Sequence, residues 1–426
     1  MFWRSCGLVV SALVVGLWLP QPAQGQIQGQ GLCRPDPAQI AARNDCAGRA
    51  RVSLAVVGDV LLHRPLAWRG YARGFDTLWG NTMPYLRAAD IAIANLEGPV
   101  APGLTRDGRR VADPGPVFDD VVHTEYPRFN YHPVLIDALL AAGVGLVTTA
   151  NNHALDRGPA GLAATMDELD ARGLPFAGTI RAGAARDFAR RMPTRLGDIT
   201  FIACSYGTNG IADPHRQVLL CHDQRAALLA AVRRAAADSA GVVVLPHWGV
   251  EYSHRPTAAQ RALAADLVAA GAMAVIGTHP HVAQPVEWQA GPAGAALVAY
   301  STGNFLAGQA ELPRASGLMV WAEICADPGR PGRARLAGGG WLPTHLDLSG
   351  ADPVLVMPRP DATGPDATGT AAEARALLAR VAGAAHDLSA SVTCQRGRRW
   401  RVGGGSAPST ASPSAPAPGS APQPGP

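Results

Sequence analysis

The sequence predicts an α/β protein, and three observations support that class. Short apolar runs rich in β-branched residues alternate with runs of helical periodicity. Several of the apolar runs end in Asp, Glu, Asn or His, at the position where open α/β sheets place their ligand sites. A hydrophobic content of 47% and a charged content of 16% allow a sizeable core. We therefore expect strands whose polar ends meet at one edge of a sheet.

Length and charge limit the organisation and the partners. The 426 residues allow one large domain or two ordinary ones. The net charge is only +4, and the densest basic run, Arg396–Arg401, is short. We interpret that run as a solvated surface segment, and nucleic acid is not an expected partner.

The N-terminus predicts export. Arg4 precedes an almost wholly apolar run, Gly7–Leu19, and Ala23-Gln24-Gly25 is typical of a signal-peptide cleavage site. The apolar run is short for a membrane span, which needs about 20 residues. We predict a cleaved signal peptide over residues 1–25 and a periplasmic or extracellular location. An uncleaved N-terminus that anchors the chain in the membrane is the alternative.

The cysteines indicate disulfides in an oxidising compartment. Seven are present, and Cys6 would leave with the signal peptide, so an even number remains. Spacing favours three pairs among the fifteen pairings that six cysteines permit: Cys33 with Cys46, Cys204 with Cys221, and Cys325 with Cys394.

The patterns along the chain predict the elements in order. The predicted strands are Val52–Val57, Asp90–Gly98, Val144–Ala150, Pro175–Gly178, Ile199–Ala203, Val242–Leu245, Ala274–Ile276, Gln284–Trp288, Ala295–Tyr300, Gly317–Ile324 and Gly340–Leu348. The predicted helices are Pro133–Ala142, Gly158–Arg172, His222–Ala237, a run before Ala274, and Ala371–Ala385. Gln284–Tyr300 would form a hairpin across Gly291-Pro292 that Ser301–Phe305 closes. The sequence of residues 104–128 predicts a long loop.

Polar side chains at the strand ends form a candidate metal site. The residues are Asp59, Glu97, Asn152, His153, His247, His279 and His281. Mixed oxygen and nitrogen ligands suit Mn²⁺, iron or Zn²⁺. A carboxylate that can bridge is what a two-metal hydrolytic site requires. The sequence therefore predicts one or two divalent ions.

Six motifs carry a family resemblance. They are Gly58-Asp59-Val60, Ala94–Gly98, Ala150–Gly158, His247–Tyr252, Gly277–Val282 and Tyr300–Phe305. The set resembles the CapA family of capsule (poly-γ-glutamate) synthesis proteins, which is similar to the calcineurin-like metallophosphoesterases. The resemblance covers roughly residues 52–305. It implies a four-layer αββα sandwich of metallophosphatase type, with the site at the carboxyl ends of the strands.

The resemblance also implies roles for the strand-end residues. Asp59 and His281 would bind a first metal, Glu97 would bridge, and a second metal would be bound by Asn152, His247 and His279. His153 would be the general acid. The phosphoesterase pattern has a histidine where this chain has Leu61, with His63 nearby, and an aspartate where it has Glu97. The number of ions, one or two, therefore stays open.

Five further residues are candidates for supporting or substrate-binding roles: Asn95, Asn151, Asp156, Glu251 and Asn304. Asp156 would hold His153 or cap the helix at Gly158, and we favour the cap. Glu251 would orient an imidazole or be a carboxylate at a helix N-terminus. Asn304 would reach the site or belong to a turn.

The predicted domain plan follows the motifs and the composition. It comprises a signal peptide (1–25), a leader segment (26–51), a CapA-like metallophosphatase-fold domain (52–350), a helical extension (351–402) and a disordered Pro/Ser/Ala/Gly tail (403–426).

Two functions are compatible with the sequence. The first is a metal-dependent hydrolase of phosphoesterase type, with a phosphate ester or poly-γ-glutamate as substrate. The second is a non-catalytic accessory factor that binds an anionic polymer such as poly-γ-glutamate and assists a membrane synthase. The fold alone does not decide between them.

Overall fold

The computed structural model describes residues 32–36, 46, 49–360 and 369–395. The predicted signal peptide, most of the leader segment and the predicted tail lie outside the described residues. Over the part of the chain that is described, no helix combines the length and the hydrophobicity that a membrane crossing requires.

Strands dominate the described residues. In chain order they are β1 (Leu32–Pro35), β2 (Arg51–Leu61), β3 (Ile91–Leu96), β4 (Val144–Thr148), β5 (Phe176–Ala177), β6 (Ala189–Met192), β7 (Ile199–Ser205), β8 (Gly241–His247), β9 (Ala274–Ile276), β10 (Val286–Gly291), β11 (Gly294–Ala299), β12 (Asn304–Ala307), β13 (Ser316–Ala326), β14 (Ala334–Asp347), β15 (Val354–Val356) and β16 (Val392–Gln395).

The α-helices cover the sheets. They are α1 (Arg64–Arg73), α2 (Asp76–Trp79), α3 (Met83–Leu86), α4 (Val134–Ala142), α5 (Gly158–Ala171), α6 (Arg225–Asp238), α7 (Ala258–Ala269) and α8 (Gly369–Leu378). The predicted helix Ala371–Ala385 continues beyond α8 as one π-helical and one 3₁₀ turn, through His386.

Two sheets carry the fold. The larger has the order β15-β14-β13-β2-β3-β4-β5, with β12 also paired to β2, and the smaller has the order β10-β11-β9-β8-β7-β6. Strands β2 to β5 are mutually parallel, and so are β7, β8, β9 and β11. Each sheet therefore presents several strand carboxyl ends at a single edge.

The cores show four layers. Leu54 of the larger sheet and Phe201 of the smaller sheet belong to one buried cluster between the sheets. Leu135 of α4 lies in a second cluster on the outer face of the larger sheet. Leu263 of α7 lies in a third, on the outer face of the smaller sheet. The predicted αββα sandwich is confirmed.

The chain crosses between the sheets after β11, and here the predicted hairpin closure is wrong. Residues Ser301–Phe305 leave the smaller sheet, and β12 pairs in parallel with β2, so that Asn304 lies opposite Asp59. Asp59 N donates to the carbonyl oxygen of Gly303 over 3.2 Å. A Cβ at Gly58 would lie 1.8 Å from that oxygen, so this close approach requires glycine.

Three disulfides join the described cysteines, and two of the spacing-based pairings are wrong. Cys204–Cys221 is confirmed, whereas Cys33 pairs with Cys394 and Cys46 with Cys325. The reason is tertiary: β1 pairs with β16 in a register that sets Cys33 opposite Cys394. Three disulfides indicate an oxidising, exported location.

The two sheets are also joined at the ends of the strands opposite the candidate site. Asp90 precedes β3, and Arg195 lies between β6 and β7. The Arg195 guanidinium donates to both Asp90 oxygens, over 2.7 and 2.9 Å, and Ser53 donates through N and Oγ. Partial burial alone would raise the pKa of Asp90, but these hydrogen bonds outweigh it and lower that pKa.

We expect Asp90→Asn to lower the free energy of unfolding by about 1–2 kcal/mol at pH 7, because a shared charge-assisted network is lost. Because the pKa of Asp90 is lower in the native protein than in the unfolded chain, ionised Asp90 stabilises the native state above the unfolded pKa of about 3.9. This stabilisation is lost as the pH falls through the native pKa. The difference should therefore shrink toward pH 3. Urea unfolding at both pH values checks this.

Asp167→Asn is the control, because the Asp167–Arg181 pair is exposed and should contribute little. Equal effects of the two substitutions would contradict the role assigned to Asp90.

Candidate metal centre

Polar residues from both sheets converge at one edge of the sandwich. The larger sheet contributes Asp59 at the end of β2, Glu97 after β3, and Asn152 after β4. The smaller sheet contributes His247 at the end of β8, and His279 and His281 after β9. All are buried. The structure thus brings together the six residues that the sequence proposes as metal ligands.

The Glu97 carboxylate lies at the middle of this convergence. It is fully buried, and neither carboxylate oxygen has a hydrogen-bond partner among the described residues. Its Oε1 lies 3.4 Å from His247 Nε2 and 3.9 Å from His281 Nε2. A buried carboxylate without hydrogen bonds is costly unless a cation balances it. Glu97 is therefore suited to bind a divalent ion, and it belongs with Asp59 and His281 to a group that could hold one.

Asp59 is oriented by the amide of Asn95. Asn95 Nδ2 donates to Asp59 Oδ1 over 2.8 Å, while Thr148 and Asn151 donate to Asn95 Oδ1. Burial alone would raise the pKa of Asp59, but His281 and the other neighbours lower it. Asn95 and Asn151 therefore act as supports of Asp59.

Asn152 and His247 form a second oriented pair. Asn152 Nδ2 donates to Asn209 Oδ1 over 3.1 Å, which turns Asn152 Oδ1 toward His247 Nε2 at 2.9 Å. His247 Nδ1 lies 2.9 Å from Thr278 Oγ1. If Nδ1 carries the proton and donates to Thr278, the Nε2 lone pair is free for a metal.

The turn that carries His279 and His281 has unusual backbone geometry. The φ angles are +97° at His279 and +56° at His281, a region that costs non-glycine residues free energy and is found mainly where function demands it. His279 Nδ1 is buried without a hydrogen-bond partner. Burial and the neighbouring imidazoles hold the pKa of His279 well below its usual value, so the ring is neutral, as metal binding requires.

The surroundings of His281 raise its pKa, whereas those of His279 lower it. Burial opposes its protonation, but Glu97 and Asp59 outweigh burial and raise the pKa of His281 to about 9. Its Nδ1 donates to Asn304 Oδ1 over 2.9 Å. The alternative in which Asn304 serves only a turn is therefore wrong, because β12 carries it into the site.

His153 is held by a carboxylate. Its Nδ1 donates to Asp156 Oδ2 over 2.8 Å, and the same oxygen accepts from Phe129 N. The ring packs edge-on against Phe129, with centroids 4.8 Å apart. Burial opposes protonation, but Asp156 raises the pKa of His153 overall. The favoured capping role of Asp156 is wrong, because α5 has no side-chain cap.

Glu251 approaches from the solvent side. It lies in a turn, and the next helix begins only at Ala258, so the alternative of a carboxylate at a helix N-terminus is wrong. Among the described residues, two groups have ligand atoms within 4.8 Å of one another: Asp59, Glu97 and His281, and Glu251, His279 and His281. The donor set fits a centre for divalent ions.

Tyr206, Asn209 and Thr278 also line the site, although they are not among the candidate residues predicted from the sequence. Tyr206 lies over His279 with ring centroids 4.3 Å apart. Tyr206 and Asn209 follow β7, so the same search for polar strand ends would have found them. His63, in contrast, accepts from Gly308 N and belongs to neither ligand group in the described part of the chain.

Comparison with known proteins identifies the family. The family model described as bacterial capsule synthesis protein PGA_cap matches residues 53–309. This match covers more than half of the chain and spans every candidate ligand. The chain belongs to that family, and the resemblance found in the sequence is confirmed.

Two named relatives are capsule proteins of Bacillus. The chain is 26% identical to the PGA biosynthesis protein CapA of Bacillus subtilis over 261 residues, which is 60% of this chain and 63% of that protein. It is 27% identical to the capsule biosynthesis protein CapA of Bacillus anthracis over 272 residues, 60% of each. The chain thus spans less than two thirds of either relative.

Solved structures show weaker likeness. The NAD nucleotidase of Haemophilus influenzae has a TM-score of 0.42 at 10% identity, over 78% of this chain and 56% of that one. A hypothetical protein from Thermus thermophilus has a TM-score of 0.36 at 20% identity, over 71% of this chain and 97% of that one.

We expect Asn209→Ala to weaken Mn²⁺ binding about 10- to 100-fold, because the Asn152 amide is no longer held with its oxygen toward His247. Isothermal titration of metal-depleted protein measures the change. Thr208→Ala is the control, since its hydroxyl bonds only to the carbonyl of Ile211. Equal affinities in Asn209→Ala and the unaltered protein would contradict the orienting role.

Proposed function

We propose, from its membership of the capsule synthesis family, that this chain is an exported protein of capsule polymer metabolism with a metal-dependent hydrolase site. The observation that carries the proposal is the Glu97 carboxylate, which is buried without a hydrogen bond to any described residue and lies beside His247, His281 and Asp59. Poly-γ-glutamate or a phosphate ester is the proposed substrate class.

The proposed ligands divide between two positions. Asp59 and His281 would hold one ion, Asn152, His247 and His279 the other, and Glu97 would lie between them. A divalent ion, Mn²⁺, iron or Zn²⁺, would supply a Lewis acid and lower the pKa of water toward neutrality.

His153 is the proposed general acid. Its Nδ1 is occupied by the hydrogen bond to Asp156, which fixes the tautomer and the ring plane. When the ring is doubly protonated, Nε2 is then the nitrogen that can give its proton to a leaving group. Phe129 covers the ring edge-on and limits its movement.

The surroundings of the site support an anionic substrate. Tyr252 is partly exposed beside His281, with ring centroids 6.1 Å apart. The Arg314 guanidinium, which also pairs with the exposed Glu311 over 3.1 Å, lies over Tyr252, 4.1 Å from the ring centroid. A cation at the rim attracts carboxylate or phosphate groups. This arrangement suits a glutamate polymer as well as a phosphate ester.

The second candidate is a non-catalytic accessory role beside a membrane synthase. Its support is that the Bacillus relatives carry names for biosynthesis of the polymer. In that case the metal centre would bind anionic groups of the polymer without cleaving them.

The first experiment is metal analysis of the purified protein by mass spectrometry, with thermal unfolding before and after addition of Mn²⁺, iron or Zn²⁺. We expect bound metal and a higher Tm on addition, since a ligand of the native state stabilises it. Neither bound metal nor a Tm shift would contradict the metal-site proposal.

We expect His153→Ala to reduce hydrolysis of bis-p-nitrophenyl phosphate about 10²- to 10⁴-fold, with the metal content retained. His215→Ala is the control, because that histidine is exposed. The same proteins are assayed for shortening of poly-γ-glutamate. Metal-dependent polymer binding without cleavage of either substrate would favour the accessory role.

A further inference from the structure

Glu251 is the one candidate residue whose place in the centre remains to be assigned. Its carboxylate and the ring nitrogens of His279 and His281 lie within 4.8 Å of one another. His281 also belongs to the group with Asp59 and Glu97. Glu251 therefore faces the same imidazole that those two buried carboxylates face, but from the solvent side.

Three fixed points hold the Glu251 turn in place. Trp248 is fully buried, and its Nε1 donates to the carbonyl oxygen of Tyr300 over 2.8 Å. Gly249 has a φ of +105°, and a Cβ there would lie 2.8 Å from the buried Gln260 side chain. Tyr252 N donates to the carbonyl oxygen of Pro280 over 2.7 Å.

The hydrogen bond from Tyr252 N to the carbonyl oxygen of Pro280 ties the residue after Glu251 to the proline between His279 and His281. Because this hydrogen bond joins the two segments through their backbones, the main chain at Glu251 keeps its position relative to the two rings. Within the described chain, no arginine forms an ion pair with Glu251.

The ligand count leaves room for a further carboxylate. The position at His281 has three candidate ligands, Asp59, Glu97 and His281, whereas the position at His247 has four with Glu97 included. Mn²⁺ prefers about six ligands and oxygen donors. A third carboxylate would also reduce the positive charge of two divalent ions in a buried site.

We propose that Glu251 is a metal ligand and binds, from the solvent side, the ion that His281 holds. This inference rests on the proposed metal centre. With Glu251 as a ligand, the metal positions at His281 and at His247 would have different sets of donor atoms. The His281 position gains an oxygen-rich set of Asp59, Glu97 and Glu251, while the His247 position keeps two imidazoles and an amide. The oxygen-rich position should prefer Mn²⁺ to Zn²⁺.

The test compares Glu251→Gln with the unaltered protein after metal removal and desalting. Glutamine keeps the shape of the side chain but binds divalent ions far more weakly than a carboxylate. We expect the Mn²⁺ dissociation constant of one site to rise at least about tenfold, with Zn²⁺ affected less. Isothermal titration measures the dissociation constants of Mn²⁺ and Zn²⁺, and metal-to-protein ratios measure the number of ions bound. Mn²⁺ electron paramagnetic resonance reports the loss of coupling between two ions.

Glu311→Gln is the matched control, because Glu311 is an exposed carboxylate paired with Arg314 at the same rim. Unchanged Mn²⁺ affinity and stoichiometry in Glu251→Gln would overturn this inference while leaving the metal centre standing. If the unaltered protein binds no divalent ion, the metal centre and this inference both fail. Unchanged Tm of the metal-free variant establishes that folding is not the cause.

Discussion

The buried carboxylate of Glu97 is the constraint on which the rest of the site depends. Removing an ionised carboxylate from water without hydrogen bonds costs several kcal/mol, and the fold surrounds it with groups that suit a shared cation. The main chain at Glu97 is fixed by the Tyr131 hydroxyl, which donates to the Glu97 carbonyl and accepts from Leu62 N. The main chain that carries the carboxylate is thus held in place, and no donor among the described residues satisfies the carboxylate oxygens.

Neither sheet could build this centre alone. The larger sheet supplies Asp59, Glu97 and the Asn152 amide, and the smaller sheet supplies His247, His279 and His281. Their relative position is fixed by the β12 crossover beside Asp59 and, at the opposite strand ends, by the Asp90–Arg195 pair. The disulfides Cys33–Cys394 and Cys46–Cys325 tie the segment before β2 to β16 and β13. The positions of the candidate ligands therefore depend on contacts between segments that lie far apart in the sequence.

The sequence predicts those site residues that lie at the ends of strands. Parallel strands end at a common edge of the sheet, so apolar runs that end in polar residues indicate a shared position. Asp59, Glu97 and His247 are predictable for this reason. The β12 crossover, two disulfide pairings and the orientation of Asn152 by Asn209 were not found. They depend on which distant segments pair, and local periodicity carries no information about that.

Leu61 is a position at which this chain departs from the phosphoesterase pattern. The phosphoesterase pattern places an imidazole there, but in this chain Leu61 is buried in the apolar cluster on the helix side of the larger sheet and pairs with Ala307. Of the residues of β2, Asp59 alone belongs to a group of candidate ligand atoms, together with Glu97 and His281. The Glu251 carboxylate, from the turn after β8, belongs to the other such group among the described residues and shares His281 with the first. If Glu251 fills that role, the centre keeps its ligand number by exchanging a nitrogen donor on one sheet for an oxygen donor on the other. Its preference among divalent ions would then shift toward the harder ones.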